Sequence, residues 1–359
     1  MDVMGQAPVA PERAIRFTGT WREYLPIAAS NVLLIIVTLG IYRFWAAARQ
    51  RRYLWSRTEV IGDRLEWSGT GKEMFIGFLI VSAFLLPFFL FIQFLFPALV
   101  ARGKIEAASG VLLLFYVAIF YLSGVAGFRA LRYRLSRTWW RGIRGGSDEP
   151  GWNYGGEYLG RVALSGMTMF IAWPWMATAL FRSRWNEMSF GSLKFRSTLT
   201  AEGLGQRWAL VYLVPIAVMV VSSIVAAVIG TVVFGDSPAS LMVIFVVVIL
   251  LFYLIIPLMT LHWYAKFYRN AAKTMSLGNL EFGFDATTWQ WLKLFFGNIA
   301  LAVFTLGLGL AYWGYRNWAF MVRHMHLYGE INVSELGQST TRAPTEAEGF
   351  ADAFDMGAI

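Results

Sequence analysis

The chain has 359 residues, 57% of them hydrophobic and only 15% charged, whereas soluble domains run at roughly 45–50% apolar and about 25% charged. That imbalance excludes an ordinary soluble domain, and the lack of any cysteine excludes disulfides, thiolate metal sites and thiol nucleophiles. A net charge of +9 would suit nucleic acid, but the basic residues flank apolar segments, so membrane lipid is the expected partner and nucleic acid is not.

Residues 1–16 are polar, with no basic stretch leading into an apolar run; they read as a flexible N-terminus, not a cleaved signal. A membrane domain is expected over residues 17–335, and a disordered tail, acidic and rich in small residues, over 336–359. Four runs in the domain reach the ~20 apolar residues that a spanning helix needs: Met74–Leu99, Gly110–Phe128, Trp208–Phe234 and Ser240–Tyr264. They form two pairs, each joined by a short loop. Three further apolar segments, Leu25–Trp45, Leu159–Phe181 and Leu292–Trp313, are less ordinary and either span or re-enter.

Phe17–Gly62 aligns with Phe284–Gly329 without a gap at an offset of 267, with ten of 46 positions identical, among them Asn31, Thr38, Leu39, Gly40 and Arg49. The spacing predicts an internal duplication, with units over 17–150, 151–283 (weaker) and 284–335 (partial). In the middle unit Trp173-Pro174-Trp175 stands where the others have Thr-Leu-Gly. Short alternating stretches follow Gly62, Gly191, Gly278 and Gly329, which is a strand signal. Each is too short to be stable alone, so together they predict one small sheet if they lie on one side of the membrane.

Positive charge decides between topologies. If all seven apolar segments crossed, Lys and Arg would divide 17 to 14 between the two sides. If the three odd segments enter and leave on one side, only Arg102 and Lys104 face the other 29. The positive-inside rule favours the second arrangement, with both termini and all strands cytoplasmic. A turn inside lipid must be buried in protein or face water, and Gly40, Gly307 and Pro174 are the candidate breaks. A tip at Gly40 would leave Arg43 deep, whereas a break nearer Asn31 would bring it to the interface; the sequence leaves both open.

Broken apolar segments at corresponding places of a repeat point to a ligand site. Asn31, Thr38 and Gly40 with Asn298, Thr305 and Gly307 are therefore the candidate binding residues for a small molecule or lipid. The competing reading is that small and polar residues there serve close helix packing. Arg49, Arg52 and Arg316 are candidates for lipid phosphate, against ordinary anchoring. No catalytic motif occurs. No metal or other cofactor is expected: His324 and His326, two apart, do not share a helix face, and His262 beside Trp263 and Tyr264 reads as part of an aromatic belt.

The motifs F-x-G-x-x-x-E-Y-L (Phe17–Leu25), N-x-L-L-x-x-x-T-L-G-I-Y-x-x-W (Asn31–Trp45) and T-W-W-R-G-I (Thr138–Ile143) resemble the YjgN-like family of bacterial inner-membrane proteins, whose function is unknown. The resemblance covers Phe17 to Glu335, implies a multi-pass bacterial inner-membrane location, and brings no functional residue with it. The expected fold is an all-α polytopic membrane protein, internally duplicated, with four transmembrane helices, three re-entrant or additional spanning segments and short cytoplasmic β-strands. Non-enzymatic binding or transport of a small molecule or lipid is the expected function; a structural or assembly role is the alternative.

Overall fold

A computed structural model describes residues 14–234, 238–329 and 336–342. Within them the chain leaves a sheet as a helical hairpin and returns as the neighbouring strand, five times in succession. Three of the hairpins are short: α1 (Trp21–Val37) with α2 (Arg43–Ser56), α6 (Trp152–Met167) with α7 (Trp173–Asn186), and α10 (Thr288–Phe304) with α11 (Trp313–His324). Two are long. In one, α3 (Gly71–Leu90) continues through a π-helical turn (Phe91–Leu95) into α4 (Phe96–Ala101) and returns as α5 (Ile105–Arg137). In the other, α8 (Leu204–Phe234) returns as α9 (Pro238–Lys273).

The long hairpins contain four segments long and apolar enough to cross a membrane: Gly71–Ala101, Ile105–Arg137, Leu204–Ile229 and Phe245–Lys273. Little of their apolar surface is covered by protein, so lipid must cover it. Three of the five helices leaving the sheet start at a threonine. Thr20, Thr70 and Thr287 each accept the N–H three residues on at 3.3 Å, and caps of this kind contribute about 1 kcal/mol each.

The strands are β1 (Ile15–Phe17), β2 (Thr58–Val60), β3 (Asp63–Arg64), β4 (Glu66–Trp67), β5 (Thr138–Trp140), β6 (Ile143–Gly146), β7 (Ser189–Phe190), β8 (Leu193–Ser197), β9 (Met275–Leu277), β10 (Leu280–Phe284) and β11 (Met325–Tyr328). They pair antiparallel in chain order: β1 to β3 as a three-stranded sheet and β4 to β11 as an eight-stranded half-barrel. The break falls at Leu65, whose N–H still reaches the Thr58 carbonyl at 3.0 Å, and β1 lies beside β11 at the opposite end. The all-α expectation is thereby corrected. Strands of two to five residues persist because seven of the eleven have neighbours on both sides, a gain that only the assembled meander supplies.

Two-residue turns join the strands at the edge opposite the helices. Ile61-Gly62 and Arg141-Gly142 have positive φ at both positions, whereas Gly191-Ser192 and Gly278-Asn279 have it only at the glycine. These are the two turn geometries whose twist matches a strand pair. The alternating stretch expected after Gly329 lies mostly outside the described residues.

This pairing rules out seven separate crossings, which would place neighbouring strands on opposite sides of a membrane. The packed core sits where the helices meet the sheet, with Tyr24, Phe44, Trp55, Trp67, Met74, Tyr133 and Tyr315 in one cluster and Phe128, Leu131, Met188 and Phe195 in another. Residues 336–342, assigned to the tail by composition, lie against two of the turns. Gln338 Nε2 donates to the Gly142 carbonyl at 2.7 Å, and the Ser192 N–H donates to the Gly337 carbonyl at 3.1 Å.

Candidate functional site

The apices of the three short hairpins share one hydrogen-bond pattern. Thr38 Oγ1 donates to the Leu34 carbonyl at 2.7 Å and accepts the Tyr42 N–H at 2.9 Å. Thr305 does the same with Leu301 and Gly309, both at 2.6 Å, and Thr168 with Leu164 and Ala172 at 3.2 and 3.3 Å. The N–H two residues after each threonine reaches back five residues: Gly40 to Ile35, Phe170 to Ser165 and Gly307 to Ala302, at 2.7, 2.6 and 2.7 Å. The two residues after the threonine are left-handed in every case (Leu39-Gly40, Met169-Phe170, Leu306-Gly307), as in a Schellman helix end.

The counterpart of Thr-Leu-Gly in the middle segment is therefore Thr168-Met169-Phe170, not Trp173-Pro174-Trp175. The latter opens α7, with Pro174 in the first turn, where a missing N–H costs nothing.

Asn31 and Asn298 tie the arms of their own hairpins together. Asn31 Nδ2 donates to the Ala46 carbonyl at 3.4 Å, and Asn298 Nδ2 to Asn317 Oδ1 at 3.0 Å. In both, Oδ1 is buried without a hydrogen-bond partner. Arg49 Nη1 donates to Ser30 Oγ at 2.9 Å, and Arg316 lies against Gly297, where an added Cβ would be 2.4 Å from its Nη2. Arg52 is exposed on α2. The six candidate binding residues thus form two sets of three, one in each hairpin, and hydrogen bonds link each set only within its own hairpin.

Contacts at the apices fix their position relative to the neighbouring hairpins. Gly71, the first residue of α3, lies against Trp45, and Phe44 packs on Phe75 and Phe78 with ring centroids 5.6 and 5.1 Å apart. The α6–α7 apex touches α8: Trp208 Nε1 donates to the Phe170 carbonyl at 2.7 Å and the Tyr212 hydroxyl to the Met169 carbonyl at 2.8 Å. The third hairpin meets the start of α1, where the Tyr24 hydroxyl donates to the Ala311 carbonyl at 3.1 Å. Each short hairpin is rooted in the sheet and has its apex side beside the first turns of the following hairpin, the third returning to the first. The 17 residues of α1 span about 25 Å at 1.5 Å per residue, and its partner arm α2 packs on α3. Arg43 is one turn from the apex, and the break is at Leu39-Gly40.

The tips are apolar and bare: Leu39, Met169 and Leu306 are 93%, 79% and 94% exposed. Turn carbonyls that lipid would leave unpaired are taken by Trp208 and Tyr212, side chains suited to a membrane–water interface. Sequence reading missed this pair because they sit on a spanning segment; an aromatic pair four apart at its start was the available signal.

A cavity of about 310 Å³ lies at the sheet end of α5, α6 and α7, with Glu149, Glu157, Glu187, Asn153, Ser183 and Tyr154 over Phe128. Glu157 is held by Arg161 and Ser183, and Glu149 Oε1 accepts the Gly151 N–H at 3.2 Å. The histidines do not converge: His326 Nε2 pairs with Asp285 at 2.9 Å, His324 Nδ1 meets the Phe320 carbonyl at 2.8 Å, and His262 Nδ1 meets Thr288 Oγ1 at 3.3 Å. Among the described residues no group of three His, Asp or Glu is placed to hold a metal.

A family described as bacterial proteins of unknown function, DUF898, matches residues 12–353. Inner membrane protein YjgN of Escherichia coli (strain K12) is 31% identical over 134 residues, 37% of this chain and 31% of that protein. The protein of the same name from Salmonella typhimurium (strain LT2) is 30% identical over 133 residues, 34% of this chain and 32% of its own length. The aligned part of the chain spans about a third of the length of these relatives. No solved structure matches. With the family match running nearly end to end, the resemblance first seen in short motifs holds for the whole: this chain is a membrane protein and belongs to the DUF898 family.

Proposed function

We propose that the chain is a non-enzymatic, multi-pass bacterial inner-membrane protein that binds phospholipid along its three short hairpins, with the sheet and both termini on the cytoplasmic side. The observation that carries this reading is the level of the apices: all have bare apolar tips, two lie beside the first turns of the long helices α3 and α8, and the third lies beside the start of α1. Helical arms at that level meet head groups on one face and acyl chains on the other. Two relatives are named as inner membrane proteins, and 28 of the 30 Lys and Arg among the described residues lie on the sheet side of the long helices, the arrangement favoured for the cytoplasmic face.

Within this reading Arg49, Arg52 and Arg316 hold lipid phosphate, and Asn31, Thr38, Gly40, Asn298, Thr305 and Gly307 shape the two hairpins that receive it. The Oδ1 atoms of Asn31 and Asn298 are buried without a partner inside those hairpins. Shared ancestry of the two hairpins fits their common turn, asparagine and arginine. Binding is favoured over transport because the long helices are covered so little by protein, which leaves few walls for a passage. A structural or assembly role without a ligand is the alternative.

The test is lipid retention. Purified in mild detergent, the protein should carry phospholipid detectable by native mass spectrometry. The triple change Arg49→Gln, Arg52→Gln, Arg316→Gln should lower the anionic share, and Asn31→Leu with Asn298→Leu should lower the total while the protein still inserts. Equal retention in all three proteins would remove the lipid reading and leave the scaffold role.

A further inference from the structure

The short hairpins add protein to one leaflet only. The four long segments pass through both leaflets, while the six arms of the short hairpins, 12 to 17 residues each, stay near the roots. An arm of about 15 residues lying flat covers roughly 22 Å by 10 Å, whereas an upright helix of ~10 Å diameter covers on the order of 80 Å². Six such arms bring on the order of 1,000 Å² of extra cross-section to the sheet-side leaflet. Among the described residues the opposite side carries only the far ends of the long helices and the short connection between Ala101 and Ile105. The tips are free to enter lipid, because a Cβ added at Gly40 or Gly307 would meet nothing within 4 Å.

We propose that the protein is a membrane wedge, which expands the sheet-side leaflet and so concentrates in, and stabilises, membrane that is convex toward the sheet. The proposal rests on the interfacial reading of the short hairpins and adds a consequence that lipid binding alone does not have. Lipid itself is the partner, recognised by its packing. Flat-lying arms enter most readily where curvature has spread the head groups, and binding of this type is sensitive to curvature.

The experiment uses the full chain reconstituted at low density into phosphatidylethanolamine–phosphatidylglycerol vesicles of mixed diameter. A dye on Lys194→Cys, at an exposed site in β8, reports protein density on single vesicles, and an impermeant quencher tells whether the sheet faces out or in. Sheet-out protein should be severalfold denser per unit area on the smallest vesicles than on the largest, and sheet-in protein should show the reverse. The triple change Leu39→Lys, Met169→Lys, Leu306→Lys alters tips that pack on little, and should flatten both trends while the protein remains inserted. Density independent of diameter in both orientations overturns the wedge. Depth-resolved nitroxide quenching of a dye on Leu306→Cys separates the two possible failures. A shallow tip with flat density leaves lipid binding standing and the wedge rejected; a tip that is not shallow rejects both.

Discussion

Gly71 and Trp45 are in direct backbone contact: a Cβ added to Gly71 would stand 2.6 Å from Trp45 Cα. The contact locks the apex side of the first short hairpin to the first residue of the first long helix. Gly71→Ala should force the two apart and lower stability by about 1–3 kcal/mol, as overpacking does. Gly205 offers the control, because its added Cβ would lie 3.4 Å from the Trp175 ring, an ordinary contact. Thermal unfolding of both variants in detergent should show a clear loss for Gly71→Ala and little for Gly205→Ala.

Phe170 occupies a left-handed position that Gly40 and Gly307 fill in the other two hairpins. A side chain there costs roughly 1–2 kcal/mol, and glycine's extra unfolded-state entropy returns about half of that. Phe170→Gly should therefore leave stability unchanged or raise it by up to about 1 kcal/mol, and Gly40→Ala should lower it by a similar amount. Equal losses in both would mean that the Phe170 ring contributes more than its backbone strain costs.

Trp208 and Tyr212 hold the second apex through the Phe170 and Met169 carbonyls. Removing one such donor costs about 1 kcal/mol, more where the orphaned carbonyl has no water to turn to. Trp208→Phe and Tyr212→Phe should each destabilise by that order, and protease sensitivity should appear first at Met169-Phe170. Cleavage confined to other loops would contradict this role.

Much of the architecture was legible because it depends on composition and charge. Four long apolar runs gave the spanning helices, and the 29-to-2 split of basic residues gave a shared side for the rest. Strands β3, β4, β8 and β10 showed their alternation after a glycine, but β2, β5, β7 and β9, which precede the glycines, did not. A strand of two or three residues has no period to read, and it exists only because the meander supplies neighbours. The middle apex was misplaced for a related reason. Its geometry is set by hydrogen bonds around Thr168 and not by a glycine, so Trp-Pro-Trp drew attention five residues away. Asn31 and Asn298 stood out as a pair in the repeat, but sequence could not tell that each would bond within its own hairpin.

Acid should loosen the N-terminal strand. Glu59 on β2 accepts two hydrogen bonds from the Arg16 side chain on β1, at 3.0 and 2.7 Å. These bonds, with Arg64 nearby, hold its carboxyl below the ordinary 4.5. A carboxyl whose value is lowered in the folded protein contributes stability that is present at neutral pH and lost as pH falls through the folded value. Hydrogen-exchange protection in β1 should thus decline below about pH 4.5. Glu59→Gln should show lower protection at neutral pH and lose that part of the pH dependence.

The most direct measurement is the depth of the three apices. The chain has no cysteine, so Leu39→Cys, Met169→Cys and Leu306→Cys each give a single site for a polarity-sensitive dye. In vesicles carrying nitroxides at the head group, mid-chain or chain end, all three dyes should be quenched most by the shallow nitroxides of the sheet-side leaflet. Strongest quenching at the chain end, or labelling from the side that reaches Arg102→Cys, would place the hairpins through the bilayer and contradict the account.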